Sequence, residues 1–427
     1  MTQAYSVSPS VLKIDSCRVC GNRALTPVLS LGELYVSDFL DRSETDALKA
    51  PLELVICDGE TGGCGLLQLL HNVSASAMYF NYWYKSGMNP VMREALADIS
   101  EKASRAVALN KNDLVLDIGC NDGTLLRSYT TKSLRLVGFE PGRNLIPEAQ
   151  TGTSKIFNDF FNAPAFVKTF GSEKAKIITS IAMFYDLQDP NAFVSDVKQC
   201  LAQDGVWIIQ MSYLPLMLER LAFDNICHEH LEYYSLFSLE NLLKRHKLKV
   251  LGVELNEVNG GSFRVYVSHE QCDTIALLAN DIEVLESSRK QEKNLGLGTR
   301  KIYEEFAGRI HDNKKRLTDF IRKEVSSGKR VYAYGASTKG NTLLQYFGLD
   351  HRWIAFAAER NPDKWGKQTV GTGIPIISEE QARLEKPDYF LVLPWHFLEN
   401  FKQREAEFLR SGGKFIVPLP TFQIVER

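Results

Sequence analysis

Leu114-Val-Leu-Asp-Ile-Gly-Cys-Asn-Asp-Gly-Thr-Leu-Leu126 is the stretch that decides the fold of this chain. Its apolar start predicts a short strand, Asp117 stands at the strand end, and Gly119 and Gly123 turn the chain into a helix. A strand, a glycine turn and a helix together present main-chain N–H groups and a helix N-terminus to a ligand. The spacing is not the G-x-G-x-x-G of a dinucleotide site, because an Asn-Asp pair replaces the middle glycine.

The quoted stretch resembles the first motif of the class I S-adenosylmethionine (SAM) methyltransferases. In those enzymes the strand-end acid and the glycines leave room for the methionine half of the cofactor. The next predicted strand, Leu136-Val-Gly-Phe-Glu140-Pro, also ends in a carboxylate, which suits the two hydroxyl groups of a ribose. An ordinary α/β turn without a ligand is the alternative, and acids at two successive strand ends argue against it.

Two neighbouring segments add to this expected SAM site. Asp159 follows a third short strand and is placed to meet an adenine amino group. The aromatic segment 78–88 comes just before the motif, so Tyr84 and Ser86 can reach over the cofactor, although aromatic packing is the alternative. The candidate cofactor residues are Tyr84, Ser86, Asp117, Gly119, Asn121, Asp122, Gly123, Glu140 and Asp159.

Strands and helices alternate along the rest of this region. A helix is predicted from residue 90 to about 108, strands at 175–183 and 206–211, and a helix at 191–201. This alternation implies parallel strands with crossover helices. Two later strands, 250–255 and 262–268, are joined by Asn259-Gly260-Gly261, and we expect them to be antiparallel. A parallel sheet closed by one antiparallel hairpin also resembles the class I methyltransferases.

The composition describes a globular chain of 427 residues, 44% hydrophobic and 24% charged, which predicts two or three domains. A net charge of −2 gives no basic field for nucleic acid. No apolar stretch reaches the ~20 residues of a membrane span, and the N-terminus lacks the regions of a secretory signal. We therefore expect a cytoplasmic monomer or weak dimer, with neither nucleic acid nor a membrane as partner.

Four of the eight cysteines have a spacing typical of a metal site. Cys17 and Cys20 form a zinc-knuckle pair, and Cys57 and Cys64 follow in a glycine-containing loop. Four thiolates match tetrahedral zinc and leave no open position for a substrate, so we predict a structural Zn²⁺ that stabilises residues 1–75. Four unrelated buried cysteines are the alternative. The remaining cysteines have no partner spacing: Cys120, Cys200, Cys227 and Cys272.

The candidate for chemistry is Cys227-His228-Glu229-His230, in which two of the eight histidines flank a glutamate. The spacing makes a poor metal site, because neighbouring residues of a strand point to opposite faces and no i, i+4 partner exists on a helix. An acid/base set is the better interpretation, since imidazole titrates near neutral pH and a carboxylate can orient it. A polar exposed loop is the alternative.

The C-terminal part predicts a second Rossmann-like unit. A linker helix at 299–327 leads into Arg330-Val-Tyr-Ala-Tyr-Gly-Ala-Ser-Thr-Lys-Gly-Asn-Thr342, again a strand, a glycine turn and a helix. Further strands are predicted at 353–358, 388–393 and 414–418. The helix N-terminus, with Ser337, Thr338 and Lys339, suits a phosphate or pyrophosphate, and a turn that only packs helix on strand is the alternative. The expected domains are 1–75, 76–280 and 281–427.

Five ordered motifs carry a more specific resemblance. The four cysteines, Asp-Ile-Gly-Cys-Asn-Asp-Gly, His-Glu-His-Leu-Glu-Tyr-Tyr, Asn-Gly-Gly-Ser-Phe-Arg and Tyr-Gly-Ala-Ser-Thr-Lys-Gly-Asn-Thr resemble the sugar C-methyltransferases that act on nucleotide-linked keto-deoxysugars. The resemblance implies a class I SAM domain between a small zinc-binding module and a second Rossmann-like domain that holds the nucleotide diphosphate. Glu229 and His230 fall on the Glu-His pair of that family, and His228 falls on a variable position. Cys227 stands where the family has tyrosine, which indicates a different ketone position or substrate.

The implied activity is SAM-dependent C-methylation (EC 2.1.1.-) through an enolate. His230 is the expected base, Glu229 would orient it, and a donor would hold the enolate oxygen. The candidates for that donor are His228, Asn259 and Arg264, and those for the nucleotide sugar are Ser337, Thr338, Lys339 and Asn341. Three alternatives stay open: an N- or O-methyltransferase on a nucleotide sugar, a keto-sugar epimerase or isomerase, and a non-enzymatic nucleotide-binding or zinc-dependent interaction protein.

Overall fold

The computed structural model describes residues 11–41, 44, 47–74, 78 and 82–426. Its first part is antiparallel β-structure, in which β2, β4 and β5 form one sheet and β1 pairs with β6. The strands are β1 Val11–Lys13, β2 Leu25–Tyr35, β3 Phe39–Leu40, β4 Lys49–Cys57, β5 Leu67–Leu69 and β6 His71–Val73. The inner strand β4 ends in four consecutive buried residues, so this sheet packs one face against the rest of the chain.

A long helix then leads to the central sheet. Helix α1, Pro90–Ala106, begins where the Asn89 side chain accepts a hydrogen bond from the main-chain N–H of Val91, with proline at its first position. The strands that follow are β7 Leu114–Ile118, β8 Arg135–Phe139, β9 Lys155–Phe157, β10 Ala175–Ile181, β11 Leu201–Ser212, β12 Glu232–Tyr233, β13 Leu248–Asn256 and β14 Ser262–His269. The helices between them are α2 Thr124–Arg127, α3 Ile146–Ala149, α4 Ala163–Phe170, α5 Pro190–Cys200, α6 Leu214–Glu219 and α7 Leu236–Arg245.

Seven of these strands form a sheet in the order β13-β14-β11-β10-β7-β8-β9. Strand β14 is antiparallel to both neighbours and the other pairings are parallel, as the sequence predicted. All five residues of β7 are buried, which is the pattern of a parallel strand covered on both faces. Strands β8 and β10 lie on either side of β7, so the order of the strands reverses beside β7. In such sheets, ligands bind at the carboxyl ends of the strands at this point.

The C-terminal part repeats this architecture after two helices, α8 Ala279–Leu295 and α9 Lys301–Ser326. Its six-stranded sheet has the order β18-β16-β15-β19-β20-β21, with only the last pairing antiparallel. The strands are β15 Val331–Tyr334, β16 Ala357–Glu359, β17 Gln368–Thr369 outside this sheet, β18 Ile376–Ser378, β19 Tyr389–Val392, β20 Lys414–Val417 and β21 Gln423–Val425. The helices are α10 Thr338–Phe347, α11 Glu379–Leu384, α12 Leu398–Arg404 and α13 Ala406–Arg410.

One predicted strand begins later than expected. The carbonyl oxygen of Asp350 accepts hydrogen bonds from the main-chain N–H groups of Trp353 and Ile354, at 2.9 Å each. These bonds close a turn, so the strand predicted at 353–358 starts only at Ala357.

The N-terminal β-structure contacts both sheets. Strand β12, which directly follows the His-Glu-His loop, pairs with β5, and β3 pairs with β17 of the C-terminal part. Leu52, Leu54 and Ile56 share one continuous hydrophobic core with residues of α10 and β15. Within the described residues, no helix is long and apolar enough to cross a membrane.

Candidate active site

A cavity of about 1360 Å³ lies between the carboxyl ends of the two sheets. Asp117 and Glu140 line one side, and the turn at 335–339 lines the other together with Pro394, His396 and Phe397. The strand order reverses beside β7 in one sheet and beside β15 in the other. The carboxyl ends of these two strands therefore face the same space. This volume exceeds that of an ordinary pocket for one small molecule, so it has room for two ligands side by side.

The turn after β7 is held by Glu140. The Oε2 of Glu140 accepts a hydrogen bond from the main-chain N–H of Asn121 at 2.8 Å, and its Oε1 accepts one from Gly142 at 2.7 Å. Gly119 has a φ of 73°, and a Cβ there would lie 3.2 Å from the Cγ of Met183. The backbone thus needs glycine at this point, and a carboxylate with unused lone pairs remains on the cavity wall.

Asp122 and Gly123, two of the expected cofactor residues, lie behind that wall and do not line the cavity. The Oδ2 of Asp122 accepts from the main-chain N–H of Gly87 at 2.7 Å, and its Oδ1 accepts from Thr124. A Cβ on Gly123 would lie 3.0 Å from the carbonyl oxygen of Ala149. Asp122 therefore fixes the preceding segment to the turn, and Gly123 allows close packing.

The segment that carries Tyr84 and Ser86 is tied to the same turn. The side chain of Asn121 donates to the carbonyl oxygen of Tyr84 at 3.0 Å and accepts from the main-chain N–H of Ser86 at 2.9 Å. Both residues line the cavity, as do Asn121 and Asp159. Residues 79–81 of the aromatic segment lie outside the described residues.

Two buried acids give this half of the cavity its electrostatic character. Burial raises the pKa of Asp117 to about 7, although a 2.6 Å hydrogen bond from Thr179 opposes the shift. Burial also raises the pKa of Glu140. A cation bound beside these acids would favour their ionised forms. These two acids fit SAM as a ligand. The sulfonium and ammonium groups of SAM are cationic, and its ribose presents two hydroxyl groups that can donate to a carboxylate.

His230 lines the cavity, whereas His228, two residues earlier in the same loop, does not. Its Nδ1 lies 2.8 Å from the carbonyl oxygen of Asn225, and its ring packs on Tyr185 with centroids 4.3 Å apart. A carbonyl oxygen can only accept, so Nδ1 carries the proton and Nε2 keeps a lone pair. Burial, and then the charge of Lys339, lower the pKa of His230 to about 3, so the ring is neutral at physiological pH.

The other two residues of the predicted triad are placed differently. The Nε2 of His228 lies 3.0 Å from the carbonyl oxygen of Ala50, and this ring does not line the cavity. A contact with the N-terminal sheet therefore uses the ring that was expected to donate to the substrate. Glu229 lines the cavity, and burial together with the charge of Asp38 raises its pKa to about 7. The imidazole of His230 is oriented by its hydrogen bond to the carbonyl oxygen of Asn225.

Four of the predicted substrate residues line the cavity: Asn259, Ser337, Thr338 and Lys339. Arg264 does not, because Gln210, Asp98 and Glu254 hold its guanidinium within the central sheet. Asn341 does not either, because its amide donates to Ser37 and to the carbonyl oxygen of Asp38. In both cases the polar end of the side chain already has hydrogen-bond partners within the protein.

The four N-terminal cysteines converge as predicted. Their sulfur atoms all lie within 4.8 Å of one another, with 3.6 Å between Cys17 and Cys64 and 3.4 Å between Cys20 and Cys57. Tetrahedral zinc with Zn–S bonds of about 2.3 Å requires sulfur atoms roughly 3.8 Å apart. The four thiolates thus fit a closed structural zinc site.

The whole chain matches one curated relative. It is 32% identical over 431 residues to the C-methyltransferase NovU of Streptomyces niveus, across 97% of this chain and 98% of that protein. The chain belongs to the C-methyltransferase family. This SAM-dependent C-methyltransferase also matches three family models, a zinc binding domain at residues 17–79, a methyltransferase domain at 84–253 and a C-methyltransferase C-terminal domain at 257–420.

Solved structures align with part of this methyltransferase. The N-methyltransferase NodS from Bradyrhizobium japonicum is 13% identical, over 43% of this chain and 98% of that chain, with a TM-score of 0.33. The plantazolicin methyltransferase BpumL in complex with SAH is 13% identical, over 42% and 83%, with a TM-score of 0.31. The family models and the cysteine cluster confirm the predicted class I fold, SAM as cofactor and the zinc-binding module.

Sequence reasoning missed four residues that line this methyltransferase's cavity: Tyr185, Asp224, Glu359 and His396. It also missed Asn225, which holds the ring of His230. Glu359 was detectable, because it ends the second strand of the second Rossmann-like unit as Glu140 does in the first. His396 follows the strand β19 and could have been noted as a strand-end residue. Nothing in the local pattern marks Asn225, which bonds to His230 in the same loop and to the distant Lys339.

Proposed function

We propose that this enzyme transfers the methyl group of SAM to a carbon next to the ketone of a nucleotide-diphosphate-linked keto-deoxysugar. The observation that carries the proposal is His230, a neutral imidazole with a fixed acceptor nitrogen, on the cavity that Asp117 and Glu140 also line. SAM supplies an electrophilic methyl group on its sulfonium. A carbon becomes a nucleophile toward it only after losing a proton, and a neighbouring ketone makes that loss possible.

His230 is the proposed base. Its Nε2 takes the α-proton, the C–H electron pair forms the enolate double bond, and the former carbonyl pair moves to the oxygen. The hydrogen bond between Nδ1 and Asn225 fixes the tautomer that this step requires. The buried ring of Tyr185 limits its rotation. Of the three donors expected from the sequence, Asn259 is the one that lines the cavity.

The nucleotide is assigned to the C-terminal sheet because of a repeated arrangement. The Oε2 of Glu359 accepts from the main-chain N–H of Ala336 at 2.8 Å, and its Oε1 accepts from Asn361 at 2.8 Å. Glu140 makes the same two kinds of bond, one to the turn after the first strand and one to the residue two positions on. A carboxylate so placed suits the ribose of a nucleoside.

Cations line the same wall and fit a diphosphate. Arg360, Lys364, Lys367 and Arg404 line the cavity near Glu359. Ser337 caps helix α10 by accepting from the main-chain N–H of Gly340 at 3.1 Å, so that the helix N-terminus is ordered at the cavity. Positive side chains and a helix N-terminus together attract phosphate groups.

Cys227, which replaces the family tyrosine, is buried and does not line the cavity in the described part of the chain. Burial raises the pKa of its thiol, so it stays protonated. We therefore assign it no part in proton transfer, and place the Tyr185 ring, rather than a residue at 227, against the base.

A hydrogen-exchange experiment tests this function. In heavy water with S-adenosylhomocysteine, the enzyme should exchange the α-hydrogen of one member of a panel of nucleoside-diphosphate 4-keto-deoxysugars, although no methyl group is available. His230→Gln should abolish exchange and methylation while both ligands still bind, because an amide keeps the volume but cannot take the proton. His246→Gln, at a histidine bonded to Asn191 outside the cavity, is the matched control.

Each result has a distinct meaning. Exchange at the parental rate in His230→Gln would remove His230 as the base and make Glu229 the next candidate. Methylation without exchange would favour a heteroatom acceptor or a concerted reaction. A parent enzyme that neither exchanges nor methylates any sugar of the panel would contradict the proposal.

A further inference from the structure

Asn225 binds one residue from each half of the cavity. Its main-chain carbonyl oxygen accepts from the Nδ1 of His230 at 2.8 Å, and its side-chain Oδ1 accepts from the Nζ of Lys339 at 2.5 Å. Lys339 belongs to the first turn of helix α10 in the C-terminal part, 114 residues away along the chain. The proposed base and a cation from the other sheet are thus fixed to the same residue.

The ammonium group of Lys339 faces the histidine side of the cavity. Its second partner among the described residues is the carbonyl oxygen of Asn259 at 3.4 Å. An ammonium has three N–H donors, so these contacts leave capacity for a ligand. Both partners lie in the central part of the chain, so the side chain points away from the main-chain N–H groups of α10 that would hold a phosphate.

Two buried polar atoms beside this ammonium also indicate that a polar ligand belongs there. Asp224 is 2% exposed and lines the cavity, and its Oδ1 has no hydrogen-bond partner among the described residues. The Nδ1 of His396, also on the cavity wall, has none either. Buried polar atoms are expensive to leave unpaired. Hydroxyl groups next to a sugar ketone would satisfy them.

We propose that Lys339 is a catalytic residue whose ammonium binds the ketone oxygen of the substrate and stabilises the negative charge that this oxygen acquires in the enolate. This inference rests on the proposed function. It assigns Lys339 to the reacting ketone, whereas the sequence analysis assigned this residue to the diphosphate. It also supplies the donor that His228 and Arg264 cannot, because their side chains are used elsewhere.

The charges balance at each stage. When the Nε2 of His230 takes the α-proton, the imidazole becomes a cation and the ketone oxygen becomes an anion beside Lys339. In the resting enzyme, burial is the first cause of the low pKa of His230. The charge of Lys339, which opposes protonation of the ring, is the second cause. The enolate oxygen neutralises that charge as it forms. Proton transfer and charge stabilisation therefore assist each other. The enolate carbon then takes the methyl group as its bond to the sulfonium sulfur breaks, which restores the ketone and leaves neutral S-adenosylhomocysteine, and His230 releases its proton to solvent.

The test uses the full-length enzyme with Lys339→Met, which removes the charge and keeps the length of the side chain. At saturating keto-sugar, we expect both α-hydrogen exchange and methylation to fall by about 10²–10³-fold, as for loss of one oxyanion donor. Affinities for SAM and for the sugar-free nucleoside diphosphate should be little changed. Lys323→Met, at an exposed lysine of α9 outside the cavity, should leave the exchange rate at saturation unchanged.

A spectroscopic readout separates charge stabilisation from mere positioning of the histidine loop. The carbonyl carbon of a ¹³C-labelled keto-sugar, bound with S-adenosylhomocysteine, should resonate downfield in the parent because Lys339 polarises the C=O bond. The resonance should move back in Lys339→Met and stay displaced in Lys339→Arg, which keeps the charge. If Lys339→Met fails to bind SAM, Lys339→Gln repeats the comparison with an amide that can still bond to Asn225.

An unchanged exchange rate in a folded Lys339 variant would overturn the inference, as would a loss confined to nucleoside diphosphate affinity, which would return Lys339 to the diphosphate. In both cases the parent remains active, so the proposed function stands. A parent inactive on the whole panel would instead remove the proposed function and this inference with it.

Discussion

The Nε2 of His228 lies 3.0 Å from the carbonyl oxygen of Ala50, which fastens the loop of the candidate base to the N-terminal β-sheet. Burial lowers the pKa of His228 to about 4, so the ring is neutral and Nε2 donates its proton to that carbonyl. Two residues further along, His230 lines the cavity. Two histidines of one motif are therefore placed differently: His228 holds the loop, and His230 lines the cavity as the proposed base.

His228→Gln should affect stability more than turnover. Loss of a buried hydrogen bond that leaves the carbonyl of Ala50 unsatisfied costs about 1–3 kcal/mol. We expect a lower midpoint of thermal unfolding, with kcat reduced far less than in His230→Gln. Calorimetry and steady-state kinetics on the two variants make the comparison. A loss of kcat as large as that of His230→Gln, in a protein of parental stability, would place His228 at the substrate.

Glu140 and Glu359 should control different ligands. Glu140→Gln should weaken SAM binding by about 1–3 kcal/mol through loss of charge-assisted hydrogen bonds, and leave nucleoside diphosphate binding nearly unchanged. Glu359→Gln should do the reverse. Isothermal titration of each variant measures its affinity for both ligands. The ligand whose affinity should not change is the control for the other. Equal effects of one substitution on both affinities would show that the two sites are not separate.

SAM affinity should depend on pH through Asp117. Burial raises the pKa of this acid to about 7 in the ligand-free protein, so below pH 7 it is mostly protonated and neutral. Binding of a cation favours the carboxylate and releases a proton, so affinity should rise with pH and level off above 7. Well below 7 the slope should approach about tenfold per pH unit. Asp117→Asn cannot ionise, so the difference between the parent and Asp117→Asn profiles isolates this effect. Parallel profiles would assign the pH dependence to another group.

The cysteine cluster should hold about one zinc ion per chain. Cys57→Ser should lose that zinc and unfold at a lower temperature, because the metal joins the loop at Cys17 to the end of β4. Cys272→Ser, at a cysteine outside the cluster, is the control. Elemental analysis and thermal unfolding measure the two effects. Freshly purified parent protein without zinc would contradict the prediction.

The sequence by itself determined the features that depend on local order. The strand, turn and helix around Asp117 follow from an apolar run and from glycines, of which Gly119 adopts a φ of 73°. The acid at Glu140 follows from the length of one βαβ unit, and the four cysteines follow from their spacing in two loops. In each case neighbouring residues carry the information, so one segment is enough to recognise it.

Tertiary structure alone decided which of the candidate polar side chains line the cavity. The His-Glu-His loop has no regular period, so the opposite placement of His228 and His230 depends on partners at Ala50 and Asn225. Lys339 has the helix N-terminal position of a phosphate ligand, yet its ammonium bonds to Asn225 across the cavity. Hydrogen bonds between residues more than 100 positions apart form only once both sheets have packed against the same space. No local pattern of the sequence encodes that geometry.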